Sequence, residues 1–184
     1  MHVHFVDFVL FLHIAVAIFT FGVGGVLLVA MGQMRAATDV AVLRSWVRVA
    51  HRIEPLFPAL VGVLILLGAW LIHLSGGEFH WSDGWVGVAV TGLVLMEAYG
   101  GIVLAPAGKK LHELVEGQAE GPVSDEVHAT VISPKVWAGA YGNMGTAAAI
   151  LFVMPTKPAG PYAIAIVAVV ALLSVGLGLR LAKR

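Results

Sequence analysis

Five runs of uncharged or nearly uncharged residues, at about 8–31, 55–74, 84–106, 136–154 and 161–180, leave this chain few ways to fold. Each approaches the ~20 residues that carry a helix across a ~30 Å hydrocarbon core. None alternates with a period of two, which argues against a β-barrel. Helices satisfy their own backbone polar groups in lipid. Composition agrees: 59% of the residues are hydrophobic and 12% charged, against roughly a quarter charged in a soluble domain. The expected architecture is all-α and polytopic, a four-helix transmembrane bundle with a fifth, C-terminal transmembrane helix, forming one domain over 1–184.

The distribution of Lys and Arg sets an expected orientation. Arg35, Arg44, Arg48 and Arg52 follow the first run, Lys109, Lys110 and Lys135 follow the third, and Arg180, Lys183 and Arg184 end the chain. Segment 75–83 carries Glu78 and Asp83 without a base, and 155–161 carries only Lys157. The N-terminus is therefore expected outside and the C-terminus in the cytoplasm, in the inner membrane. Residues 1–7 hold no Lys or Arg, and no small-residue cleavage site follows the apolar run, so the first helix is expected to be retained.

Thr38 and Asp39 can cap a short cytoplasmic amphipathic helix over about 39–53, in which Arg44, Arg48 and Arg52 form a stripe. That stripe is expected to lie against anionic lipid headgroups. The loop 105–135 mixes charges with Gly117, Gly121 and Pro122, and reads as a helical extension followed by a flexible link. The formal net charge of zero argues against a nucleic-acid partner. Membrane lipid is the expected surrounding.

Candidate chemistry rests on the few polar groups within or beside the spans. With no cysteine in the chain, metal ligands must come from His, Met, Asp and Glu. His13 lies inside the first apolar run, where an ionisable side chain is costly and is by default a functional-site candidate. It is followed at helical steps by Ala17, Thr20 and Gly24, which gives the first helix a face with a ligand at one end and small side chains below. That face suits the edge of a flat cofactor or the side of a neighbouring helix.

With His2, His4, His73 and His80, His13 belongs to the outer half. These rings are candidate metal ligands, although His4 and His13, nine residues apart, point to opposite faces of one helix. His73 should lie about two turns, roughly 10 Å, nearer the surface, so pairing His13 with His73 on one iron requires tilt. Glu97 is the one acidic residue inside a span, and its depth matches Tyr141 and Asn143 of the fourth helix. A Glu97 hydrogen bond to Asn143 or Tyr141 is expected, either as packing glue or as part of a proton relay or cofactor contact.

Four segments in order, DFVLFLHIAVAIFTFGVGG (7–25), EPLFPALVGVLILLGAWLI (54–72), GWVGVAVTGLVLMEAYGG (84–101) and NMGTAAAILFVMPTKP (143–158), resemble a superfamily of small membrane proteins. It includes the HemJ-type protoporphyrinogen oxidases, the CopD-type copper-resistance proteins and uncharacterised relatives, the last being the most similar. The HemJ-type resemblance implies a bundle that binds haem b with the first-helix histidine essential, a role that falls on His13. The lysine and histidine that follow Gly-Trp in that family fall where this chain has Gly87, Val88 and Ala89, and Gly100 replaces the histidine after the tyrosine. The resemblance therefore does not extend to protoporphyrinogen oxidation.

The leading expectation is a haem b-binding membrane protein in electron transfer or haem handling, using His13, Ala17, Thr20, Gly24, His73, Glu97, Tyr141 and Asn143, with a redox partner or a second copy of itself. A different class is copper transport or homeostasis through His4, His13, His73 and His80. A third is a non-catalytic subunit of a larger membrane complex.

Overall fold

The computed structural model describes residues 5–183, and His2 and His4 lie outside them. The described residues form eight α-helices and one π-helical turn: α1 Phe5–Ala36, α2 Val40–Ile53, α3 Leu56–Leu74, α4 Gly84–Tyr99, the π turn Gly100–Leu104, α5 Ala105–Glu116, α6 Asp125–Val131, α7 Pro134–Thr156 and α8 Gly160–Ala182. No strand occurs among them. Five helical segments are long and apolar enough to cross a membrane.

α1, α3, α4 and α7 pack in a ring, each against the next, and α8 lies outside it along α7 and α4. The expected bundle of four with a fifth helix added is the one observed. Between α7 and α8 the approach is close enough that glycine is required: a Cβ at Gly178 would stand 2.5 Å from the Trp137 carbonyl oxygen. In lipid there is no hydrophobic drive between helices, so such backbone contact supplies the packing. The outward faces carry large apolar side chains such as Leu66, Ile102 and Leu172, all strongly exposed.

The buried hydrophobic cluster lies elsewhere. Ala30, Met34, Leu43, Val47, Ala50, Val115, Val127 and Val131 come together where the end of α1 meets α2, α5 and α6. Here polar faces meet water, and apolar burial can drive folding as in a soluble domain. These helices form a cap over one end of the bundle.

Two sequence expectations change at the cap. In segment 105–135 the expected helical extension is present, α4, the π turn and α5 forming one helical run from Gly84 to Glu116, but the stretch after it, expected as a flexible link, contains α6. The Val40 N–H donates to the Gly121 carbonyl at 2.9 Å and the Val123 N–H to the Thr38 carbonyl at 3.1 Å, pinning 121–123 to the start of α2. The basic stripe of α2 also turns toward α5. Arg44 Nη2 donates to the carbonyls of Gln118 at 2.7 Å and Val115 at 3.2 Å, and Arg48 holds Glu116 through two bonds of 2.7 and 2.9 Å. Carbonyls at a helix C-terminus are unsatisfied and partly negative, so they compete well for a guanidinium. Of the three arginines, Arg44 is partly covered, while Arg48 and Arg52 are exposed. As expected for a cap, Asp39 accepts the Ala41 N–H at 2.8 Å and starts α2.

Candidate functional site

A cavity of about 520 Å³ lies inside the ring, within the ~300–1,000 Å³ range of small-molecule sites. His13, Ala17, Thr20 and Gly24 of α1 all line it, together with Glu97 of α4 and Asn143 of α7. Most of the remaining wall is aliphatic, with methionines Met31, Met96 and Met144 among it.

His13 is the residue with the clearest unmet chemistry. Its ring lies beside the Leu64 backbone and against Gly68 of α3, where a Cβ would stand 3.4 Å from Cε1 and 3.9 Å from Nδ1. Nδ1 is buried and makes no hydrogen bond. The groove below His13 is shallower than the α1 sequence alone implies, because Met144 packs into it: its Sδ lies 3.2 Å from where a Gly24 Cβ would be. The Thr20 hydroxyl donates to the Val16 carbonyl at 2.7 Å, the ordinary way a threonine satisfies itself within a helix.

The other candidates are dispersed. His73 ends α3, exposed and outside the cavity lining, so it does not pair with His13. His80 is exposed in the turn before α4, where its backbone N–H donates to Asp83 at 2.9 Å. His4 lies outside the described residues. Among the described residues no group of three or more His, Cys, Asp or Glu side chains could hold a metal ion. The expected set of outer histidines is therefore not assembled by His13, His73 and His80: one is in the bundle and two are at its end.

The expected bond from Glu97 to Asn143 or Tyr141 is replaced by others. Asn143 Nδ2 donates to the Met96 carbonyl at 3.2 Å, and Tyr141 stacks on Trp137 with ring centroids 5.9 Å apart, away from the cavity. The Met96 carbonyl accepts the Gly100 N–H, which it shares with the Glu97 carbonyl, and has a second lone pair for Asn143; the π turn begins just beyond, where the Ala105 N–H reaches back to Gly100. Glu97 faces the cavity with no hydrogen-bond or ion-pair partner among the described residues.

Sequence reasoning missed three features. The π turn had a signal in GGIVLAP: Pro106 has no N–H to give Ile102 and its ring crowds that carbonyl, while Gly100 and Gly101 leave the backbone free to widen. Glu54, at the corner of α2 and α3, also lines the cavity. His51 and His112 stack with centroids 4.4 Å apart and planes 6° from parallel, and nothing in their spacing announces it.

No curated protein and no solved structure matches the chain. The pattern of one family, predicted integral membrane proteins of DUF2269, matches residues 7–158, from α1 to the end of α7, and this chain is a member of that family.

Proposed function

We propose that the chain is a haem b-binding protein of the inner membrane, with its N-terminus outside and its C-terminus in the cytoplasm, acting in electron transfer or haem handling. The observation that carries this reading is His13: a histidine in the wall of a largely apolar cavity of about 520 Å³, with its buried Nδ1 unbonded. One imidazole is enough to hold a haem iron in a site whose remaining walls only have to exclude water. Copper needs several donors converging on one point, and His13 has no such company among the described residues. The likeness of segments 7–25, 54–72, 84–101 and 143–158 to the HemJ-type and CopD-type superfamily supports the same role for His13.

In this reading the His13 imidazole would hold the haem iron, with its ring placed against Gly68 of α3. Ala17 and Gly24 leave room along α1. Bound haem would supply one-electron chemistry, with a redox partner docking on the protein. The absorption spectrum of protein purified from membranes tests this. A Soret band present in the wild type and lost in His13→Ala is expected; a colourless protein that binds copper through His73 or His80 would sink the proposal in favour of metal homeostasis. Purification only together with partner chains, without a chromophore, would favour a non-catalytic subunit.

A further inference from the structure

The cavity does not stop below His13. On α1 its lining continues to Met34, a rise of about 31 Å, close to the ~30 Å thickness of a hydrocarbon core. Its far end, under the cap, is lined by His51, Glu54 and Lys109. The Glu54 carboxylate lies against Gly108 of α5, where a Cβ would stand 2.8 Å from Oε1 and 2.9 Å from Oε2, so glycine is what leaves space for it. No described residue gives the Glu54 carboxylate a hydrogen bond or an ion pair. An uncompensated carboxylate at the edge of an apolar cavity is costly. A cation brought by a ligand offsets that cost.

Lys109 follows Gly108 on α5. Its Nζ stands 3.9 Å from Glu113, and both side chains are 65% or more exposed, so this is a loose surface pair that yields readily to a stronger anion. The mouth thus offers one acid and one base, above an apolar space as long as the membrane core. A ligand that fits has an ammonium group, a phosphate and a long hydrocarbon chain.

We propose that this end of the cavity binds a phospholipid with a primary-amine zwitterionic headgroup, its ammonium on Glu54, its phosphate on Lys109 and one acyl chain running inward past Met31 and Leu104. The ammonium must donate hydrogen bonds to a carboxylate wedged against Gly108, which a trimethylated amine cannot do. The headgroup site is at the opposite end of the cavity from His13, and its test does not require haem.

Native mass spectrometry of protein released from nanodiscs tests it, using phosphatidylethanolamine, its N,N-dimethyl derivative, phosphatidylcholine and phosphatidylglycerol with identical chains. Lipid retention is expected to fall with N-methylation, by about tenfold from ethanolamine to choline, the scale of one hydrogen bond to a charged group. Glycerophosphoethanolamine, which has the headgroup and no chains, should fail to displace the lipid. Glu54→Gln should erase the preference in a protein that still unfolds cooperatively. Equal retention of all four lipids, or a preference for phosphatidylglycerol, overturns the proposal, as does displacement by the chainless headgroup. If Glu54→Gln does not fold, the methylation series in the wild type decides alone.

Discussion

Single side chains in this bundle act mainly by what they do for the backbone. Trp137 is the largest buried side chain, and its Nε1 donates to the Val131 carbonyl at 2.8 Å across the α6–α7 junction. Trp137→Phe keeps most of the apolar volume and orphans that carbonyl, so a loss of about 1–3 kcal/mol is expected, read as a lower unfolding midpoint in detergent. Asn143 likewise serves the Met96 carbonyl. At this scale the sequence was informative about depth and uninformative about partners. His13, Ala17, Thr20 and Gly24 share a helix face by periodicity alone, and all four meet the cavity. The partner of Asn143 was missed by one residue, because a backbone carbonyl that takes a second donor has no side chain to announce it.

At the scale of elements, the spans were legible and the cap was not. Runs of apolar residues mark helices whatever surrounds them, whereas α5 and α6 owe their positions to contacts with α2 that lie far away in sequence. Arg44 and Arg48 show the difference. Both sit on one face of α2, as the period of four implies, but the face they share is turned to α5. Arg44 is largely covered and bonds two carbonyls at the end of α5; Arg48 is mostly exposed. Arg44→Met is therefore expected to loosen α5 from α2 and to speed proteolytic cleavage within 117–124 several-fold. Arg48→Met should leave the cleavage rate near wild type, because an exposed ion pair contributes little. Equal sensitivity of the two variants would contradict this division of roles.

For the whole molecule, the fold divides into a lipid-facing ring held by close backbone approach and a water-facing cap held by apolar burial. The odd number of spans puts the two termini on opposite sides, and the basic residues gather at the cap. Because the chain has no cysteine, single cysteines report topology without background. Ser82→Cys should react with a membrane-impermeant maleimide in intact cells, and Ala119→Cys only after permeabilisation; the reverse would invert the proposed orientation. The family match over residues 7–158 ends before α8, in keeping with a ring of four that carries the cavity and a fifth helix packed outside it.

The most direct measurement is a titration of the purified, haem-free protein with hemin, followed at the Soret band for wild type, His13→Ala and His73→Ala. A saturable one-to-one shift in the wild type, retained in His73→Ala and weakened at least tenfold in His13→Ala, is the predicted result. Non-saturable binding, or equal titrations of wild type and His13→Ala, would contradict the assignment of the cavity beneath His13 to haem.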